Sequence, residues 1–363
     1  MASSAQTQSH HPRFLLAGHS PGRRMLSISV MLAIALIIVT VVAIAHGSSR
    51  IPYADVARIL LNYVGIPLDD SIARPQITIV QQVRLPRIFV AMFVGAGLSV
   101  SGAVMQGIFR NGLADPGILG VSAGGSLGAV IAFTTGMALN GLWVVPIFAF
   151  VGAITAALVV YLLALEQGRA NTTSLLLAGI ALNAFISAIV SMQLLLTEDI
   201  GQAQAIITWL IGSLAGKGWR HVIVIAPPIL LCITFIYSYS RDLNLFLLGE
   251  ETAQGLGTNV PRTRFILLAL AALATGLAVS MAGVIGFVGL VVPHVLRLII
   301  GPDHRVLIPA SMLGGAVFLV LADTITRIVI PNVELPVGIV TSLIGGPFFL
   351  YLLWRQRKTV RSL

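Results

Sequence analysis

Long uncharged runs separated by short polar turns dominate the chain, and their lengths predict its elements. Leu26 to Ala45 is an apolar run of 20 residues, about what a helix needs to cross 30 Å of hydrocarbon. Ile88 to Phe109 carries no charge over 22 residues and gives a second span. Gly117 to Leu165 is uncharged for 49 residues. As one helix it would be about 73 Å long, so it must fold back into two spans, and Asn140-Gly141 is the predicted turn. Ala170 to Thr197 supplies a fifth span. Ile200 to Gly216, with its Gly and Gln residues, reads as a broken half-helix. His221 to Ser240 gives a sixth span, kinked at Pro227-Pro228. Phe265 to Leu296 has no formal charge over 32 residues, and Gly283, Gly286 and Pro293 divide it into two spans. Val306 to Ala322 and Leu335 to Trp354 bring the number to about ten.

The polar interruptions carry the remaining information. Arg241 to Arg264 reads as a short amphipathic helix between two spans. Leu245, Leu248, Ala253 and Leu256 share one face at helical spacing, Glu250, Glu251 and Gln254 take the other, and Gly255 and Gly257 supply the stop. Such a helix is either a docking surface or a solvated connector. In Asn111 to Pro116, Asp115 is placed to cap the third span with Pro116 at its first position.

Composition agrees with the pattern. Hydrophobic residues make up 57% of the 363, charged residues only 10%, and mean hydropathy is +0.96, whereas soluble domains carry about 25% charge. A soluble core is excluded, and the fold class is an all-α polytopic membrane protein. Residues 1–24 form a polar, Ser-rich leader read as disordered and cytoplasmic, 25–355 a single transmembrane domain, and 356–363 a tail. Residues 23 to 45 imitate a signal peptide, but the apolar run exceeds a signal core of about 7 to 15 residues, so it is an uncleaved first span. The net charge of +9 is distributed between and beyond apolar runs, where topology explains it, and no nucleic-acid partner is assigned. One cysteine, Cys232, excludes a disulfide framework or thiol cluster within the chain.

With ten spans and both termini inside, 14 of the 22 Lys and Arg residues fall on the inner side. The termini and the 241–264 segment are therefore assigned to the cytoplasm. Five of the eight outer charges, Arg50, Arg58, Arg74, Arg84 and Arg87, occur in the first outer loop. They meet either an acidic partner, or Asp55, Asp69, Asp70 and lipid head groups.

No energy source is evident. Gly212 to Gly218 imitates a phosphate-binding loop but has one residue too few and lacks Ser or Thr after Lys217. Asp323 is the acid nearest a span interior, and Arg327, four residues on, pairs with it as a helical salt bridge near the outer surface. His294, after Pro293, is read as a structural residue. Gln106, Asn183, Ser187 and Gln193 line a pathway or bond between helices. No catalytic residue, metal site or cofactor is assigned to the chain. Most of the 36 glycines are structural, letting helix backbones approach closely.

Several stretches together resemble the FecCD family, the permease subunits of ABC importers for iron-siderophores, haem and cobalamin. They are Val83 to Arg87, Ser101 to Gln106, Arg110 to Pro116, Leu175 to Gly179, Leu248 to Glu251, Gly286 to His294, Gly301 to Arg305 and Leu335 to Gly338, in family order. The resemblance implies a type II importer: a homo- or heterodimer of ten-span subunits in a bacterial inner membrane, with two ATP-binding subunits, where ATP and Mg reside, below. A periplasmic or lipid-anchored binding protein sits above. It implies ATPase coupling through Leu248, Gly249, Glu250, Glu251, Ala253, Leu256 and Gly257, and receptor docking through Arg84, Arg87 and Arg327. It implies an inner gate at Asn111 to Leu113 and Thr172-Thr173, with Met105 and Gln106 along the pathway. Gly112 stands where the family usually has Pro, which implies a looser gate turn. Ferric siderophore is the expected cargo, with haem and cobalamin the alternatives. The competing class, an autonomous secondary transporter, would need buried carboxylates or inverted broken helices.

Overall fold

The computed structural model describes residues 21–47, 49–62, 65–66, 72–166, 169–330 and 334–361. The leader through residue 20, Asp69 and Asp70 lie outside the described residues. Among the described residues the longer helical elements are α1 Pro21–Ala45, α2 Tyr53–Asn62, α3 Arg74–Ile108, α4 Val121–Thr134, α5 Val144–Leu163, α6 Thr172–Leu195, α7 Ile200–Ile211, α8 Trp219–Ser238, α9 Ser240–Leu247, α10 Glu250–Gly255, α11 Val260–Ala282, α12 Val288–Ile300, α13 His304–Thr326 and α14 Val337–Arg361. Strand pairing among the described residues is a two-residue ribbon, β1 Leu165–Glu166 against β2 Arg169–Ala170.

Among the described residues seven helices, α1, α3, α5, α6, α8, α11 and α13, are long and apolar enough to cross a membrane. The shorter apolar helices α4, α7, α12 and the first part of α14 add to these, which is roughly consistent with the expected ten spans. Three boundaries differ from the sequence reading. α1 begins at Pro21 and α14 continues to Arg361, so part of the expected leader and tail is helical. The fold-back between α4 and α5 occupies residues 135–143 and contains the predicted turn at Asn140-Gly141, with Gly141 at φ 156°. The break between α11 and α12 falls at Gly283 to Phe287, while Pro293 lies inside α12. Gly283 and Phe287 both have positive φ, which turns the chain before the proline is reached.

Loops gather at two ends. At the proximal end, the β ribbon, α9, α10 and residues 301–303 meet: Arg264 Nη1 donates to Ala170 O at 2.8 Å, and Asn244 Nδ2 to Asp303 Oδ1 at 2.7 Å. At the distal end, Ser213 N donates to Ala282 O, Gly338 N to Gly212 O, and Trp219 Nε1 to Gln81 O.

α3 is the centre. Of its most apolar 18-residue window 83% is buried, against 22% for α1 and for α6. It packs against α8, α11, α12 and α13, and a π-helical stretch, Ile79–Arg84, lies within it. Hydrocarbon gives helices no hydrophobic reason to associate, so close backbone packing must. A Cβ on Gly95 would lie 2.2 Å from Gly315 O, and one on Gly315 equally close to Gly95 O. Gln106 Nε2 donates to Leu290 O at 3.1 Å and Ser101 Oγ to Ala271 O at 3.1 Å, tying α3 to α12 and α11. Met105 and Gln106 are fully buried. Within this chain they pack between α3 and the helices around it.

A Val at Gly95 would have to part α3 from α13. Gly95→Val should lower unfolding free energy in detergent by about 1–3 kcal/mol or more. Gly286→Ala, whose new methyl meets nothing within 4 Å, should stay within about 0.5 kcal/mol of the parent.

Candidate functional site

The 241–264 segment is two helices joined by an elbow, not the single amphipathic helix expected. The reason is Gly249, at φ 108° and ψ 154°, a conformation outside the helical region that a side chain would strain. α9 buries Leu243 and Phe246. Asn244 fastens it to the start of α13, its Oδ1 accepting from His304 N at 2.8 Å. Thr258 Oγ1 donates to Asp242 Oδ1 at 3.0 Å, and Asn259 Oδ1 caps α11 at Arg262 N. Between these anchors Ala253 is fully buried, while Leu248 is 62% and Leu256 55% exposed. The expected shared face of Leu248, Ala253 and Leu256 is thereby split. Glu251 is exposed too, so the elbow presents two leucines and a carboxylate outward from a fixed base.

The two expected gate turns also lie at this end. Asn111 Oδ1 accepts from Leu113 N at 3.0 Å, and Asn171 Oδ1 from Thr173 N at 2.9 Å, starting α6. His294 Nδ1 donates to Gly112 O at 3.1 Å. A Cβ at Gly112 would stand 2.7 Å from that same nitrogen, so the departure to glycine accommodates a held turn and not a looser one. Asp115 Oδ1 accepts from Gly117 N at 2.8 Å and caps the short 3-10 turn Pro116–Leu119; α4 begins later, after Gly120. Burial raises the Asp115 carboxyl above its ordinary value, and the Gly117 bond lowers it in part.

At the distal end the structure brings Arg84, Arg87 and Arg327 together, but inward. Their exposures are 4%, 4% and 9%. Arg87 Nε and Nη2 each lie 2.9 Å from Asp323 Oδ1, and its Nη1 lies 3.1 Å from Glu334 Oε2. Arg327 Nε is 3.2 Å from Asp323 Oδ2, the predicted helical pair. Arg84 donates to the carbonyls of Ile44 and Ser49, and Arg327 Nη1 to those of Ala43 and His46 at 3.2 and 3.3 Å. Ala43 and Ile44 belong to the last turn of α1, where free carbonyls favour cations, and His46 and Ser49 follow it in the loop. The three arginines expected to dock a receptor are therefore not open at the surface of this chain. Asp323 and the end of α1, distant in sequence, claim them first. Arg50 and Arg74 remain exposed at this end, and Arg58 pairs with Asp55 at 3.8 Å.

Comparison with known proteins decides the family. The family model for the FecCD transport family matches residues 31–355. The chain belongs to the FecCD transport family. It is 46% identical to the cobalamin import system permease of Halobacterium salinarum over 82% of this chain and 78% of that one. It is 41% identical to the Fe(3+) dicitrate transport system permease of Escherichia coli over 77% and 86%. A solved metal-chelate type ABC transporter in an inward-facing conformation has a similar fold, with 32% identity and a TM-score of 0.79, covering 91% of this chain and 99% of that one.

Sequence reasoning passed over two residues of this FecCD chain. Arg264, in the first turn of α11, was counted only as an inner charge, although it holds both Glu250 and Ala170 O. Asn244 gave no signal, since its hydrogen-bond partners Asp303 and His304 lie about sixty positions away. Of the polar residues considered for a pathway, Asn183 donates to Gly117 O at 3.2 Å, Gln193 is half-buried and Ser187 is exposed on α6.

Two predictions follow from the distal end of this FecCD permease. Asp323→Ala leaves two buried guanidiniums short of a counter-charge and should cost about 3–5 kcal/mol, read as a lower unfolding midpoint in detergent. Lys217, in the loop after α7, has its ammonium lowered from 10.5 to about 8 by burial. Its folded value lies below the unfolded one, so the penalty on stability is full below pH 8 and is relieved as pH rises toward 10.5. Amine acylation followed by peptide mass spectrometry should show Lys217 half-reactive near pH 8; a midpoint at the ordinary lysine value near 10.5 would remove the shift.

Proposed function

We propose that this chain is the permease subunit of a binding-protein-dependent ABC importer that passes a metal chelate, a ferric siderophore foremost, across a bacterial inner membrane. The observation that carries the reading is the elbow: exposed Leu248, Glu251 and Leu256 on a segment anchored on both sides, in a member of the FecCD family. A protruding patch on a rigid base suits a partner that pushes. The proximal end is cytoplasmic, in accord with the distribution of Lys and Arg, and both termini lie on that side.

In this reading two ATP-binding subunits hold ATP and Mg, the elbow receives their movement, and the chain performs no catalysis of its own. A second permease copy, identical or related, completes the path, and α6, with its exposed Ser187 and open flank, faces it. A soluble receptor delivers the chelate at the distal end. Its carboxylates meet exposed Arg50 and Arg74, and reach Arg87 by displacing Glu334, whose side chain is 57% exposed. Cobalamin is the second cargo reading, supported by the name of the halobacterial relative.

The test is uptake into proteoliposomes by the complex of permease, ATPase and receptor, with receptor loaded in turn with radiolabelled ferric siderophore, haem or cobalamin. Glu250→Lys with Glu251→Lys should reduce uptake at least about tenfold, the effect of losing charged contacts. Normal uptake by that variant would overturn the coupling role, and ion-driven uptake by the permease alone would overturn the ABC reading.

A further inference from the structure

The elbow and the turn that begins α6 face each other across a polar cavity of about 720 Å³ lined by Glu166, Asn171, Thr172, Glu250, Gln254 and Arg264. Open space transmits no force. Among the described residues the hydrogen bonds that bridge this gap run through one side chain, Arg264, itself only 7% exposed. Its Nη1 donates to Ala170 O at 2.8 Å and its Nη2 pairs with Glu250 Oε1. Ala170 immediately precedes Asn171, whose side chain caps α6 at Thr173. One planar guanidinium therefore joins the first residue of α10 to the residue before the cap of α6.

We propose that Arg264 is a positioning residue that carries movement of the elbow into the Asn171–Thr173 turn. This rests on the coupling role given above to the elbow. Arginine suits the task because its donors point in fixed directions from one plane, so two acceptors on different elements are held at a set separation; a lysine ammonium on its flexible stem sets no such separation. The elbow also lies near the other turn: a Cβ at Gly249 would be 3.7 Å from Arg110 Nη1. Arg110, at φ 47°, lies two residues beyond α3 where the Asn111–Leu113 turn begins, but among the described residues the bonded arm is that of Arg264.

The experiment uses the full complex in a Cys232→Ser background, with spin labels at the exposed positions Thr173 and Thr252, and double electron–electron resonance without nucleotide and with ATP-vanadate. With Arg264 present the two labels should keep one separation in both states, because elbow and turn move together. Arg264→Gln, too short to hold both acceptors, should let the separation shift or broaden when ATP is trapped and should lower uptake about tenfold. Arg264→Lys keeps the charge and guards against misfolding; it should assemble with the ATPase and still transport more slowly. Wild-type uptake by both variants, or an unchanged label separation in Arg264→Gln, would overturn the role of Arg264. If the Glu250/Glu251 reversal is uncoupled while Arg264→Gln transports normally, the elbow keeps its role and only Arg264 loses its own; if the reversal transports normally, the coupling reading itself falls.

Discussion

A guanidinium taken out of water must find acceptors, and four buried arginines meet that demand by tying together elements that are far apart in the chain. Arg84, Arg87, Arg264 and Arg327 are all less than a tenth exposed. Each bonds to a helix or loop other than its own: the end of α1, Asp323 on α13, or the ribbon and elbow beside α11. An arginine left without them would carry the desolvation cost of an unpaired ion, several kcal/mol by the usual order of magnitude. The ends of the bundle are thus fixed by charge satisfaction, at depths where water cannot substitute.

Between the two ends the bundle is held differently. α3 is surrounded, and its contacts are made by small residues that bring backbones together and by single side-chain to carbonyl bonds such as Gln106 to Leu290. Such packing is stiff, since a close-packed interface slides or parts but does not stretch. α6 lies at the opposite extreme, mostly uncovered along its length. A rigid centre with a loosely held flank suits a protein whose cycle moves some helices against others.

The proximal end joins these two regimes. The elbow is fastened to α13 by Asn244, to α11 by Asn259 and to the start of α6 by Arg264. Its outward face, with Leu248, Glu251 and Leu256, is left without cover from the rest of the chain. A push on that face has defined exits, one toward the packed centre and one toward the open flank. Arg84 and Arg327 do the corresponding work at the distal end for α1, whose own packing is slight.

The long apolar helices, the short helix after α6, the fold-back near Gly141 and the exposed Glu-bearing segment were all legible in the sequence, because hydrocarbon thickness and the cost of charge in lipid act on each stretch locally. The ordered motifs carried the family for the same reason, as each is a local string. The single amphipathic helix was misread because one glycine dihedral, invisible in a hydrophobic pattern, breaks it at Gly249. Arg84 and Arg87 looked available for a partner, since nothing in a linear chain says that Asp323, 236 positions beyond Arg87, comes to rest beside them. Arg264 looked like one more inner charge until the ribbon and the elbow were placed around it. Periodicity and composition report what each segment must avoid; which charge meets which carbonyl is decided only when distant segments are brought together.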